Sequence, residues 1–427
     1  MRNIRQLFTS VRLAIFLLAA LAVTSIIGTI IPQHQTYEWY AERYSPHLAT
    51  FFQVLDIPAM YGSWWFTGLL ALLAINLIAC SLERLPKVLA LIQADPAATP
   101  ALRLEKMPLQ ARWPQVGNAA LPSLKKLLVA RGFTAANDAE TLFIAAKGAW
   151  SRLGAYIVHL SILVIFAGAL IGQYYGFKGS VMLPEGKSTD VVFLNQSHQA
   201  KNLGFTVRCD LFAIEYYDNG MPKEYLSRLT VLENGTPVVS RDIEVNKPLR
   251  HNGITFYQAS YQPFQDFIIE LAKKSGPRHA FTVPYQKQEE WSEEGLAFGV
   301  ISAEALGQRL ERLKLWLKIG AAEAVTLNLA AGEEGELGPY KIRARQLYAT
   351  GLQVAKDPGV PLVYLGCGLL IFGLYTAFFQ AHRRLFVILP PTSSGDIRLI
   401  GATNKNRLGF ARDFATLRAE IDNTLKG

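Results

Sequence analysis

Residues 150–172, WSRLGAYIVHLSILVIFAGALIG, form an apolar run long enough to cross a bilayer, with one ionisable side chain, His159, buried in its first half. At about 1.5 Å of rise per residue, a helix over 154–175 covers the roughly 30 Å hydrocarbon core. Lipid cannot solvate a titratable group, so His159 requires a partner: a ligand, or a hydrogen bond to a neighbouring helix. The span alone leaves both open.

Outward from this run, the chain has the balance of a membrane protein with a sizeable soluble part: 427 residues, 50% hydrophobic and only 18% charged. The formal charge of +9 is spread along the chain and gathers at the ends of apolar runs. That distribution orients a protein in a membrane and argues against nucleic-acid binding. Cys80, Cys209 and Cys367 lie far apart, so there is no disulfide framework, no Cys-x-x-Cys for thiol exchange and no Cys-x-x-Cys-His for haem attachment.

Arg2, Arg5 and Arg12 precede the apolar run 13–31, which ends without a small-x-small cleavage site and reads as a first span with its N-terminus inside. Residues 33–63 carry Tyr37, Trp39, Tyr40, Tyr44, Phe51, Phe52 and Tyr61 with one Arg and no Lys, as suits an outer interfacial segment. Trp64 opens a second span, 64–82, ending at Glu83-Arg84-Leu85-Pro86-Lys87. Residues 83–152 are dense in Lys and Arg and read as a small cytoplasmic α+β domain, with a helix at 121–130 and two short strands within 133–147. The third span is 153–175 and the fourth 361–381, closing at His382-Arg383-Arg384; the tail 382–427, with an amphipathic helix over 411–425, lies inside.

Between the last two spans, residues 176–360 change period. Phe205, Val207, Cys209 and Leu211 alternate with Thr206, Arg208 and Asp210, which places the apolar set on one face of a strand. Asn234-Gly235 between two β-rich runs is a hairpin turn signal, and further strand-like runs lie at 254–257, 267–271, 313–319 and 340–347. The expected fold is therefore an α-helical membrane protein with four transmembrane helices, a large extracytoplasmic antiparallel β domain (a sandwich or open barrel) and a small cytoplasmic α+β domain, in the pieces 1–82, 83–152, 153–175, 176–360, 361–381 and 382–427.

Several motifs fail. Gly186-Lys187-Ser188-Thr189 resembles the end of a phosphate-binding loop, but the first glycine of that motif would fall on Val181. No Gly-x-Ser-x-Gly elbow and no His-Glu-x-x-His pair supports hydrolysis. Gly168 and Gly172 form a Gly-x-x-x-Gly pair that allows close helix approach. His34, His47, His198 and His279 read as ordinary surface groups. His251, set in Val245-Asn246-Lys247-Pro248-Leu249-Arg250-His251-Asn252-Gly253 near aromatics able to flank a planar ligand, is either a ligand or a turn histidine.

In combination, four pieces resemble the ResB (CcsB) family of system II cytochrome c biogenesis proteins, over nearly the whole chain. They are Ser25-Ile26-Ile27-Gly28-Thr29-Ile30-Ile31-Pro32-Gln33; Ser63-Trp64-Trp65-Phe66 through Asn76 and Cys80-Ser81 to Arg84-Leu85-Pro86; Gly154 to His159; and Val245-Asn246-x-Pro248-Leu249 through Gly253 to Tyr257-Gln258-x-Ser260-Tyr261. The resemblance implies a bacterial cytoplasmic-membrane subunit, both termini cytoplasmic and the large domain periplasmic. With a CcsA/ResC-type partner it would move haem outward and assist its thioether attachment to apocytochrome c. It implies that His159 is a haem ligand, carries an outer histidine onto His251, assigns no catalytic residue, and leaves catalysis shared with or located on the partner. The alternative from a different class is a scaffold that binds apocytochrome or the partner without ligating haem, with His159 bonded only to another helix.

Overall fold

The computed structural model describes residues 6–93, 104–114, 121–139, 141–195, 197–273, 276–307, 309–389 and 396–426. Two compact units divide the chain, Met1–Ala169 with Val360–Gly427, and Leu170–Gly359. Helices in chain order are α1 (Val11–Ile30), α2 (Tyr37–Arg43), α3 (Pro46–Val54), α4 (Trp64–Gln93), α5 (Leu121–Ala130), α6 (Gly154–Tyr175), α7 (Val360–Phe379) and α8 (Arg407–Lys426). Four of them, α1, α4, α6 and α7, are long and apolar enough to cross a membrane.

Their packing follows from which stripe of each helix is small or apolar. Leu17 and Leu21 of α1 meet Phe66, Leu73 and Leu77 of α4, and Ile162, Leu163 and Phe166 of α6 join the same cluster. The other stripe of α6 receives α7: a Cβ built on Gly366 would lie 2.6 Å from Ile165 Cγ1, and one on Gly373 would lie 2.9 Å from the Val158 backbone nitrogen. Close approach between these helices thus falls at Gly366 and Gly373 of α7 and at Gly154 of α6, where a Cβ would lie 2.6 Å from the Ala377 backbone nitrogen, while Gly172 of the expected glycine pair abuts the Asp357 carboxylate. Helix α4 continues through Pro86 to Gln93, beyond the expected end at 82. Pro86 lacks the N–H that would bond the Leu82 carbonyl and its ring crowds that carbonyl, yet the helix runs on past it; the apolar boundary is not a backbone boundary. The aromatic segment before α4 folds as α2 and α3, with Tyr40 fully buried and its ring edge-on to Trp39 and Phe52.

The first unit also begins a small sheet with β1 (Leu109–Trp113), β2 (Thr134–Asp138) and β3 (Leu142–Lys147). In the second unit the strands are β4 (Phe177–Pro184), β5 (Ser188–Leu194), β6 (Ala200–Tyr216), β7 (Pro222–Glu233), β8 (Thr236–Ile243), β9 (Leu249–His251), β10 (Ile254–Lys273), β11 (His279–Pro284), β12 (Gln288–Trp291), β13 (Leu296–Leu306), β14 (Arg309–Ile319), β15 (Val325–Ala330), β16 (Glu334–Leu337) and β17 (Tyr340–Lys356). One antiparallel sheet runs β11-β10-β17-β4-β5-β6-β7-β8, with β9 on β10 and β16 on β17; a second runs β12-β13-β14-β15. The long sheet curls on itself: Ser227 Oγ of β7 lies 2.6 Å from Gln258 Oε1 of β10 and 2.8 Å from Thr350 Oγ1 of β17, strands far removed from β7 in sheet order. The curled half encloses one core, including Phe205, Val207, Cys209, Leu229, Val231, Phe256 and Val354. The other half is covered by the four-stranded sheet, which closes a second core around Phe267, Ile269, Phe298, Leu315 and Ile342.

The tail returns to the first unit. It supplies β18 (Arg383–Ile388) and β19 (Ile397–Thr403), giving a five-stranded sheet of order β1-β19-β18-β3-β2. Leu124 and Leu128 of α5 and Phe410, Phe414, Leu417 and Ile421 of α8 pack into its core. Segments read apart in the sequence, 83–152 and 382–427, therefore build one sheet.

Candidate functional site: a histidine in the third span

His159 lies five residues into α6, about 8 Å along the axis from Gly154. It precedes Ile162, Leu163 and Phe166 at spacings of three, four and seven, so it stands on the stripe that faces α1 and α4. Ser81 of α4 meets it there: Ser81 Oγ is 3.0 Å from His159 Nδ1. Tyr156, one turn earlier, presents its ring edge to the imidazole with centroids 6.1 Å apart. When Nδ1 carries the proton and donates it to the Ser81 hydroxyl, Nε2 keeps its lone pair. Nε2 has no hydrogen-bond partner among the described residues. A neutral imidazole so held is chemically able to ligate iron through Nε2, since the group fixing the second nitrogen also fixes the tautomer and ring orientation.

Earlier on α4 stands Asn76, fully buried, whose Nδ2 donates to the carbonyls of Phe8 (2.7 Å) and Ser10 (3.2 Å) and so holds the chain that leads into α1. Cys80, a turn further on, is also buried.

His251 belongs to the second unit. It ends β9, and Asn252 and Gly253, both at positive φ, turn the chain into β10. Its Nε2 is 2.9 Å from Glu233 Oε1, which also accepts from Asn252 Nδ2 at 3.2 Å. Phe205 stands against the imidazole at 4.9 Å and 84°. Rings set edge-on make no parallel-walled slot, and the carboxylate engages the nitrogen that faces it. The arrangement reads as a hairpin held by Glu233. Gly186, from the failed phosphate-loop motif, lies in the turn between β4 and β5.

Sequence reading passed over His382. Only 6% exposed, it accepts at Nδ1 from Arg152 Nε at 2.9 Å, and its backbone N–H donates to Asn404 Oδ1. Burial, with the guanidinium groups of Arg152 and Arg384, pushes its pKa down from 6.5 to about 4, so it is neutral at physiological pH. Lys405 Nζ donates to the Ala377 carbonyl in the last turn of α7, 2.7 Å away. The basic cluster His382-Arg383-Arg384 looks from sequence like a span terminus and nothing more; the signal that distinguishes His382, its burial, exists only in three dimensions.

Comparison with known proteins adds the lineage. Two proteins called cytochrome c biogenesis protein CcsB, from Synechococcus sp. (strain JA-3-3Ab) and Gloeobacter violaceus, are each 30% identical to this chain, over 96% of it and over 88% and 90% of their own lengths. A solved cytochrome c heme lyase CcmF aligns with 78% of this chain and 42% of its own at 13% identity and a TM-score of 0.27, too slight a likeness to carry an argument. The model of the ResB-like family matches residues 11–334 and 312–415. With its four apolar helices and large antiparallel β unit, the chain belongs to the ResB-like family.

Proposed function

We propose that this chain is a membrane subunit of cytochrome c biogenesis that, with a CcsA/ResC-type partner, moves haem to the outer face and assists its thioether attachment to apocytochrome c. The carrying observation is His159, an imidazole within an apolar span whose Nδ1 is tied to Ser81 and whose Nε2 has no partner among the described residues. Haem is the cargo, His159 its axial ligand on this chain, and the second axial nitrogen comes from the partner. The large β unit faces the periplasm and both termini the cytoplasm of a bacterial inner membrane. Lys and Arg crowd 83–152 and the tail and are sparse in 33–63, which supports that orientation. His251, paired with Glu233, serves the hairpin of the outer unit.

The Ser81 contact also favours a second reading, in which His159 only bonds α6 to α4 and the chain is a scaffold. An interhelical bond of this kind is typically worth ~0.6 kcal/mol and at most ~1.7 kcal/mol, so on that reading His159→Ala leaves a modest packing defect. On the ligand reading, the same variant accumulates normally beside its partner while its Soret absorbance and cytochrome c maturation both fall. Exogenous imidazole should partly restore maturation in His159→Gly, after correction for the ~1 kcal/mol helix cost of glycine by protein level. Full haem content and full maturation in His159→Ala at normal expression would establish the scaffold instead.

A further inference from the structure

The curled sheet of the second unit is incomplete at one place. Strand β5 pairs with β6 only as far as Ser188 opposite Arg208, followed by the bonds that Cys209 makes with Lys187 and Gly186. Strand β6 continues to Tyr216 with β7 on its other side alone. Across the gap, β17 has β4 beside it from Ala349 onward and β16 beside it up to Arg343, with no strand between. Residues 211–215 of β6 thus present backbone groups along an edge no described strand covers. This edge lines a cleft of about 730 Å³.

Two features distinguish this edge from a protected one. Natural sheet edges carry proline and charge that discourage pairing; β8, the outer edge of the same sheet, carries Pro237, Arg241 and Asp242. The β6 edge instead reads Leu211-Phe212-Ala213-Ile214, without proline and with its one charge, Glu215, at the end and paired with Lys223. The opposite wall is polar: Tyr348 donates to Gln346, and Arg345 is held in a bidentate pair with Glu185. Arg309 is paired with Glu311, whereas Arg312 in the same lining makes no ion pair among the described residues. A strand edge, apolar side chains and a free guanidinium suit a ligand with a regular backbone of donors and acceptors. Only an extended polypeptide has one.

We infer that this cleft binds an unfolded polypeptide segment by strand addition to residues 211–215 of β6, with Arg312 taking a carboxylate or carbonyl of the segment. The inference rests on the proposed function only for the identity of that segment, an apocytochrome chain before haem attachment. The test uses the purified full chain in detergent, without haem, and a fluorescein-labelled peptide containing Cys-x-x-Cys-His with both thiols alkylated. Fluorescence anisotropy should show binding, and methylating alternate backbone nitrogens of the peptide, in the register that faces β6, should weaken it by about tenfold or more, because side chains are untouched while ladder bonds are lost. A photo-crosslinking residue in place of Ala213 should capture the peptide, and one in place of Val238 on β8 should not. Equal affinity for the methylated peptides in both registers, absence of binding, or capture only at Val238 overturns the inference. So does concentration-dependent self-association that the peptide does not compete, which would assign the edge to a second copy of the chain. His159→Ala should leave the anisotropy unchanged, so the haem reading and this one fail independently. An unrelated extended peptide that binds equally well would remove apocytochrome as the occupant while leaving strand addition in place.

Discussion

His159 and His382 show what single residues disclose. A titratable side chain in an apolar run is visible in one dimension, so His159 is legible in the sequence; its contact Ser81 is 78 residues away, and nothing local announces it. His382 is hidden by its basic neighbours, yet its environment has a measurable consequence. With a folded pKa of about 4 against an ordinary 6.5, the native state refuses a proton that the unfolded chain accepts. Stability from this group is therefore full above about pH 6.5 and is lost as pH falls toward 4. Between about pH 7 and pH 5 the loss amounts to about 2 kcal/mol. Unfolding of the purified chain in detergent should follow that slope, and His382→Gln, whose amide oxygen still accepts from Arg152, should remove it. An unchanged slope in the variant would show that other groups govern the acid limb.

At the scale of elements, hairpins and strand faces were legible, while strand length and helix contacts were not. Asn234 and Gly235, at φ values of 50° and 81°, turn β7 into β8 with Glu233 opposite Thr236, because only residues tolerant of positive φ close a two-residue turn there. The runs 254–257 and 267–271, separate in the sequence pattern, are one strand of 20 residues, β10. It serves two cores in turn, and its alternation breaks where the register shifts beside Pro263. Helix contact went unread because closeness depends on the partner: the spacing of Gly168 and Gly172 matches a known motif, but α7 meets α6 at Gly366 and Gly373. Gly373→Val should force α7 away from α6 and destabilise the chain by about 1–3 kcal/mol. Gly368 is the control, since a side chain there meets nothing within 4 Å. Gly368→Ala should leave thermal stability in detergent unchanged or slightly higher. Equal effects of the two substitutions would mean that the α6–α7 contact is not as described.

For the molecule as a whole, the sequence disclosed four apolar helices and a β-rich block, because hydropathy and period-2 alternation are properties of contiguous residues. It did not disclose that the tail completes the sheet begun before α6, since strand pairing over more than 200 residues leaves no local trace. Six consecutive pairs join β18 to β3, from Arg383 opposite Lys147 to Ile388 opposite Leu142. Six pairs from Arg383 to Ile388 on one side and five from Leu109 to Trp113 on the other tie β19 into the same sheet, burying Leu385, Phe386, Val387, Leu399 and Ile400. At about 1.5–3 kcal/mol for each such side chain, the shared core is comparable to the whole stability of a small domain. The loop between α4 and α6 and the tail after α7 must then lie on one side of the membrane, whichever side that is. On the orientation proposed above, which the distribution of Lys and Arg supports, that side is the cytoplasm. A reporter that works only in the periplasm should therefore be inactive both when inserted between β1 and α5 and when fused after Gly427, and active when inserted at Gln286 in the turn between β11 and β12. The outcomes separate two claims. Activity at the first two sites together, with none at Gln286, inverts the orientation but keeps the sheet. Activity at only one of the first two places its strands on opposite sides of the bilayer, where no hydrogen bond can join them, and the sheet itself must be given up.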